Sequence, residues 1–202
     1  MASIYDLKPR FQALLRPVMQ ALARAGATPN TITVAAMLLS AAVGGFIAWQ
    51  PEARWPLLAL PATLFVRMAL NALDGMMARE LNMASRLGAI LNEVGDVLAD
   101  AALYLPLGLV PGIRPVLLVP AVVLAVVTEM TGVVSVQIGA SRRYDGPMGK
   151  SDRALVLGAI ALALGLGAPA GRWVDVVLGA MLLLLGLTIY NRVRRGLAEH
   201  AA

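Results

Sequence analysis

Two apolar runs of this chain contain seven polar side chains that lipid would exclude: Arg67, Asn71 and Asp74 in FVRMALNALDGMMARE, and Asn92, Glu93, Asp96 and Asp100 in RLGAILNEVGDVLADAALY. Ionisable groups within a membrane span are costly and mark functional sites by default. Gly88, Asn92, Asp96 and Asp100 recur every four residues, the interval that lines one face of a helix. Arg67, Asn71, Asp74 and Ala78 share a face at spacings of four, three and four. With residues 81–86 as a turn between antiparallel helices, Asn71 and Asp96 each lie ten residues in, about 15 Å at helical rise. Asp74 and Glu93 are each seven residues in, and Arg67 and Asp100 fourteen. Carboxylates and amides facing each other at matched depth form an oxygen-rich cavity. Magnesium takes such oxygens and shares them with substrate phosphates. The competing expectation is a set of interhelical hydrogen bonds and ion pairs that only glue the helices. Gly75 and Gly88 count against it, because small residues let another group approach the backbone.

The elements that must carry these residues follow from composition and spacing. Of 202 residues, 59% are hydrophobic and 14% charged, and the mean hydropathy is +0.75. Soluble domains sit near ~45–50% apolar and ~25% charged, so the chain is expected to be an all-α integral membrane protein forming one domain over residues 1–202. Cysteine is absent, which excludes disulfides and thiolate metal sites. The one histidine, His200, sits at the C-terminal tail, which argues against a histidine-based triad. A net charge of +5 raises nucleic acid as a partner, but the basic residues are scattered between apolar runs and fit topology signals and phosphate contacts better. No nucleic-acid partner is expected.

Residues 3–25 place Leu7, Phe11, Leu14, Leu15, Val18 and Leu22 opposite Lys8, Arg10, Arg16 and Arg24, with interruptions at Pro9 and Pro17. That pattern predicts an amphipathic helix in the cytoplasmic interface and lacks the uninterrupted apolar core of a signal peptide. Six spans are expected at 31–49, 57–80, 86–109, 116–138, 154–168 and 174–191, against the roughly 20 residues needed to cross. The fifth is short and glycine-rich. With the N-terminus inside, the cytoplasmic segments hold thirteen Lys and Arg, and the outer loops hold only Arg54, Arg114 and Arg172. This bias puts both termini in the cytoplasm. The oxygen-lined cavity then opens to the cytoplasm.

The stretch 71–96 reads N-x2-D-G-x2-A-R-x8-G-x3-N-x3-D. It resembles, in every spacing, the CDP-alcohol phosphotransferase signature D-x2-DG-x2-AR-x8-G-x3-D-x3-D. Looser similarity covers the whole chain, including the Thr28, Pro29, Asn30 and Thr33 start of the first span. The resemblance implies six spans, an N-terminal amphipathic helix and a place in phospholipid biosynthesis at the bacterial inner membrane. It implies transfer of a phosphoalcohol group from a CDP-linked donor, typically CDP-diacylglycerol, to a hydroxyl acceptor, with release of CMP. It also implies a homodimer. By position it makes Asp74 and Asp96 metal ligands for Mg2+ or Mn2+, with Asn71 and Asn92 at the other two ligand positions. Gly75, Ala78, Arg79 and Gly88 become nucleotide contacts, together with Asp74, Asn30 and Thr33. Asp96 takes the place of the general base.

Two departures stand out: the first and third signature aspartates are Asn71 and Asn92. Each still offers an oxygen, but the site loses two negative charges and is expected to bind metal more weakly. Glu93, beside Asn92, is an alternative carboxylate. The pattern is read as that of a bacterial branch of the family.

A second cluster, SRRYDGPMGKSDR at 141–153, lies in the cytoplasmic loop before the fifth span. Lys150 and Arg153 share a face at a helix start, where the N-terminus favours an anion. The resemblance implies a Gly-Lys element here, matched by Gly149 and Lys150, in relatives with phosphorylated acceptors. Lys150 and Arg153, with Arg142 and Arg143 as further candidates, are therefore expected to hold an acceptor phosphate. The alternative is a plain positive-inside loop, which accounts for Arg142 and Arg143 well. Arg67 and Asp100, at matched depth, are expected to form a structural ion pair, with Glu129 as a rival partner for Arg67.

The preferred function is transfer of a phosphatidyl group from CDP-diacylglycerol to a polar, phosphorylated alcohol. Alternatives are transfer from a soluble CDP-alcohol to diacylglycerol, a catalytically silent scaffold, or an ion transporter. A transporter calls for internal repeats, and the sequence shows none.

Overall fold

In the computed structural model, residues 4–200 are described; 1–3 and 201–202, which the sequence reading placed in the interfacial helix and the domain, lie outside the described residues. Seven α-helices and two 3-10 turns follow one another, and no strand occurs among the described residues. The helices are α1 Ile4–Arg24, α2 Pro29–Trp49, α3 Arg54–Glu80, α4 Arg86–Tyr104, α5 Pro115–Val134, α6 Lys150–Gly165 and α7 Arg172–His200. The 3-10 turns, Leu105–Leu109 and Ser135–Ile138, extend α4 and α5.

Four helical stretches are long and apolar enough to cross a membrane: Pro29–Trp49, Arg54–Glu80, Pro115–Ile138 and Arg172–Glu199. Large apolar side chains lie bare along them, among them Leu38, Phe65, Val116, Met130 and Leu183. Such surface is tolerated where lipid replaces water, and the protein is a multi-pass membrane protein. The other two expected spans differ for separate reasons. The α4 helix carries the polar row described above, and α6 has 16 residues.

The ends of the helices follow local chemistry. At the start of α2, Thr28 Oγ1 accepts from the Thr31 amide at 3.2 Å and Thr31 Oγ1 accepts from the Thr28 amide at 2.9 Å. This reciprocal cap precedes Pro29, whose fixed φ suits the first helical position. Gly26, at φ +84°, ends α1 with the Ala27 amide donating to the Leu22 carbonyl at 3.0 Å, a left-handed stop that glycine adopts without a Cβ penalty.

Helix α6 runs Lys150–Gly165 where 154–168 was expected, and three further departures have a local cause. The α1 helix runs unbroken through Pro9 and Pro17. Pro17 lies on the exposed face, so the carbonyl deprived of its N–H partner can be solvated. The third expected span loses α-geometry after Tyr104, next to Pro106, which disfavours α-conformation in the residue before it. The last helix runs to His200 rather than 191, carrying Arg192, Arg194 and Arg195 on continuous helix.

Residue packing groups the chain into two compact units. The first comprises residues up to Ala42 with Ala62–Ala99, and the second Val43–Pro61 with residues from Asp100 onward. In the first, Met19 of α1, Ile32 of α2 and Leu73, Met76 and Met77 of α3 form a buried cluster, with Leu15, Leu22, Leu70 and Met83 packed around it. This core fixes the α3 face that carries the polar row. A surface bidentate pair adds to it: Arg16 Nε and Nη2 donate to the Glu80 carboxylate at 3.1 and 3.0 Å.

Candidate active site

Asn71 of the α3 row and Asp96 of the α4 row meet in the first unit. Asn71 Nδ2 donates to Asp96 Oδ1 at 3.1 Å, joining two residues that each lie ten residues in from the 81–86 turn. That contact makes the two helix segments an antiparallel hairpin with the register expected from counting. Three residues on from Asn71, Asp74 is buried, and the Thr33 hydroxyl donates to its Oδ2 at 2.8 Å. The same hydroxyl lies 3.0 Å from the Pro29 carbonyl, so the capped start of α2 sets the direction of the Asp74 carboxylate. A hydroxyl bonded to a carboxylate favours its ionised form and restrains its rotamer.

The glycines mark close approaches. A Cβ on Gly75 would stand 3.2 Å from both terminal nitrogens of Arg79, so the Arg79 guanidinium folds back over that bare backbone. A Cβ on Gly88 would stand 2.8 Å from Asn30 Oδ1 and 2.9 Å from Ser85 Oγ, while Ser85 Oγ accepts from the Gly88 amide at 2.9 Å and caps α4. Thr33 with Asp74, Gly75 with Arg79 and Gly88 with Asn30 are thus three close contacts within one unit. Ala78 and Glu93 are half-buried and Asn92 is exposed.

The donor set is all oxygen: the carboxylates of Asp74 and Asp96 and the amides of Asn71 and Asn92, with Glu93 next in the chain. It suits a hard divalent cation such as magnesium or manganese. Among the described residues, no three His, Cys, Asp or Glu side chains group as a metal cluster. The physical reason is visible in the sequence, since amides stand at two of the four positions.

In the second unit, the loop 139–149 is strapped to α7. Asp145 Oδ1 accepts from Arg195 at 2.6 Å and its Oδ2 from Arg143 at 2.8 Å. Burial pushes the Asp145 carboxyl up, but those two arginines outweigh it and hold it below the usual carboxylate range. Arg143 also pairs with Glu199, the Met148 amide donates to Thr188 Oγ1 at 3.0 Å, and Gly146, at φ +121°, packs where a Cβ would strike Thr188. Arg142 lies over the Tyr144 ring at 4.4 Å.

Lys150 opens α6, half-buried, behind Gly149, whose amide donates to Asp152 at 2.9 Å. Arg153 is buried. It donates to Glu129 Oε1 at 2.8 Å and Thr128 Oγ1 at 3.0 Å, and stands 3.8 Å from Asp100 Oδ2. Asp100 is therefore beside Arg153 in the second unit, while Arg67 is buried in the first. Arg192, by position one of the cytoplasmic basic residues after the last expected span, is buried with its guanidinium on the Thr128 carbonyl and 3.6 Å from Glu129 Oε1.

Comparisons with known proteins bear on the hairpin. The profile of the family described as CDP-alcohol phosphatidyltransferase matches residues 26–193. The chain belongs to the CDP-alcohol phosphatidyltransferase family. The chain is 44% identical to Inner membrane protein YnbA of Escherichia coli K12 over 194 residues, covering 95% of each chain. It is 35% identical over 105 residues to a phosphatidylinositol phosphate synthase of Mycolicibacterium smegmatis, covering 52% of this chain and 46% of that one. The fold matches the crystal structure of Mycobacterium tuberculosis phosphatidylinositol phosphate synthase with CDP-DAG bound, at a TM-score of 0.76 and 21% identity, over 89% of this chain and 92% of that one. The same synthase with manganese and citrate matches at a TM-score of 0.75 and 21% identity, over 89% and 87%. As a CDP-alcohol phosphatidyltransferase, the protein is an enzyme of phospholipid biosynthesis in a membrane.

Proposed function

We propose that this enzyme transfers a phosphatidyl group from CDP-diacylglycerol to a hydroxyl of a polar, phosphate-bearing alcohol and releases CMP, at the α3–α4 hairpin. The observation that carries the proposal is the Asn71–Asp96 bridge, which joins signature positions of two helices, with the Thr33-oriented Asp74 one turn along α3 from Asn71. Asn71, Asp74, Asn92 and Asp96, with Glu93 beside them, would hold Mg2+ or Mn2+. When bound, such a cation neutralises charge on the pyrophosphate and on departing CMP.

The chain's own residues account for the rest. Arg79, folded over Gly75, offers a cation to the nucleotide phosphates, and Ala78, Gly88, Asn30 and Thr33 line the approach to it. Asp96 takes the proton of the acceptor hydroxyl as its oxygen bonds to the lipid-side phosphorus, and the phosphoanhydride bond to CMP breaks. The amide at 71, rather than a carboxylate, donates to Asp96 and steadies it. Lys150, Arg153, Arg142 and Arg143 serve the acceptor phosphate. Arg67 and Asp100 form a structural pair.

The same reading includes six spans with both termini and the site on the cytoplasmic side of a bacterial inner membrane. It also includes α1 lying in the interface, one domain and a homodimer. It is supported by the positive-inside bias of the loops and by likeness to proteins whose names state an inner membrane location and CDP-DAG binding. The test is mass spectrometry of lipids made by purified protein from CDP-diacylglycerol with a panel of phosphate-bearing alcohols. A new phospholipid with equimolar CMP is expected. Product only from a soluble CDP-alcohol and diacylglycerol would reverse the direction assigned, and no product from either pairing would remove it.

A further inference from the structure

The last turn of α7 seats a carboxylate among hydrogen-bond donors of the 139–149 loop. Glu199 Oε1 accepts from the Ser141 amide at 3.1 Å, and Oε2 accepts from the Ser141 hydroxyl at 2.9 Å and from Arg143 Nη1. A backbone N–H, a hydroxyl and a guanidinium converging on one acid are donors of the kind that bind phosphate oxygens. The carboxylate is an incomplete match for them. Three donors share two oxygens, and Oε2 serves both the hydroxyl and the guanidinium nitrogen, which stand 3.3 Å apart. A phosphate group has an oxygen for each.

The donors have holds of their own besides Glu199. The Arg143 amide donates to the Gly132 carbonyl of α5 at 3.1 Å, and a Cβ on Gly132 would stand 2.5 Å from the Arg143 carbonyl oxygen. Asp145 fixes the other edge of the guanidinium, with Nε and Nη2 each 2.8 Å from its Oδ2. Glu199 is held less firmly: its side chain keeps 40% of its surface, and ion pairs of exposed side chains contribute little to stability.

We propose that Ser141 and Arg143 form a binding site for a phosphate group, and that Glu199 is its internal occupant, displaced when the phosphate binds. The proposal rests on the reading of Arg143 as a phosphate contact and extends it to Ser141 and the end of α7. The phosphate belongs to a water-soluble ester or to the head group of an acidic lipid, which present the same oxygens.

The test compares full-length wild type with Glu199→Gln in lipid nanodiscs and reads thermal stabilisation by ligand. The Asp145–Arg195 pair at 2.6 Å still ties the loop to α7 in that variant. In one arm the discs are phosphatidylcholine and methyl phosphate is titrated. In the other, phosphatidylglycerol replaces a rising share of the phosphatidylcholine, with no soluble phosphate. In at least one arm Glu199→Gln should respond at about tenfold lower ligand than wild type, as expected where an internal ligand fills a site about nine-tenths of the time. The arm that responds names the source of the phosphate. Adding Ser141→Ala to Glu199→Gln should remove most of the gain, because a donor to a charged group is lost. A gain in neither arm, as a plain structural strap predicts, or a gain that Ser141→Ala leaves intact, overturns the proposal. CMP release from CDP-diacylglycerol is followed in parallel. Its absence defeats the transferase reading, while the binding comparison still judges the site.

Discussion

The two polar regions of this protein are built in opposite ways. In the α3–α4 hairpin, few charges stand in one unit, and an amide bridges to a carboxylate: Asn71 to Asp96, beside the Thr33–Asp74 pair. Around Glu129, charges gather densely: three arginines with Glu129 and Asp100, drawn from α4, α5, α6, α7 and the strapped loop. The hairpin sets carboxylates and amides along two facing helix rows, the arrangement proposed above to hold a divalent cation. The cluster sets its cations against carboxylates of the chain itself, Glu129 first among them. The same low dielectric raises the stakes in both places, because an unpaired charge there is expensive.

Breaking the hairpin should give the largest effect. Asp74→Ala removes a buried carboxylate at the candidate cation site, and CMP release should fall by about a thousandfold or more, as when a major electrostatic contact to the transition state is lost. Protein yield in the membrane and thermal stability separate that loss from unfolding. Near-normal release would dissolve the contrast between the two regions.

The next effect is on stability. Arg67→Ala and Asp100→Ala should each destabilise the protein by about 3–5 kcal/mol, the scale for removing one partner of a buried pair. If the two residues pair, the double variant should lose less than the sum of the singles. Because Asp100 also stands 3.8 Å from Arg153, a cycle of Asp100→Ala with Arg153→Gln should show coupling of its own. Additive losses in the first cycle with coupling in the second would assign Asp100 to the cluster alone.

A smaller effect sharpens the comparison from the hairpin side. Asn71→Asp with Asn92→Asp adds two carboxylates to the oxygen set and should lower the magnesium concentration for half-maximal activity several-fold, since ligand charge tunes affinity for hard cations. An unchanged magnesium requirement would separate these amides from the cation.

The smallest effect concerns the strap. Asp145 is held below the ordinary carboxylate range by Arg143 and Arg195, against burial. A depressed carboxyl stabilises the fold above its unfolded value and ceases to do so as pH falls through its folded value. Protection of residues 139–149, taken as exchange relative to the intrinsic rate at each pH, should therefore fall as pH drops below the ordinary carboxylate range. Asp145→Asn should show the lowered protection at neutral pH.

The hairpin was legible because its chemistry is local. Fixed gaps between residues 71 and 96 place the polar positions on helix faces, and counting from the turn paired Asn71 with Asp96. The partner of Asp74 was less visible: Thr33 was marked only by family likeness, and its hydroxyl meets the carboxylate through the capped start of α2. The Glu129 cluster could not be counted out. Its members at 100, 129, 142, 153 and 192 share no period, and Arg192 looked like one more basic residue after the last span. Only a helix that continues past 191 buries that guanidinium. A glutamate within an apolar span was the one signal available, and the sequence offered Arg67 as its partner rather than Arg153.

The most direct test of the hairpin as a cation-assisted transferase site is CMP release from CDP-diacylglycerol, titrated with magnesium, by wild type and by Asp96→Asn. Wild type should release CMP only with the metal present. Asp96→Asn, which keeps the shape but loses the proton acceptor, should release almost none at any magnesium concentration. Undiminished release in chelator, or by the Asn variant, would contradict the account.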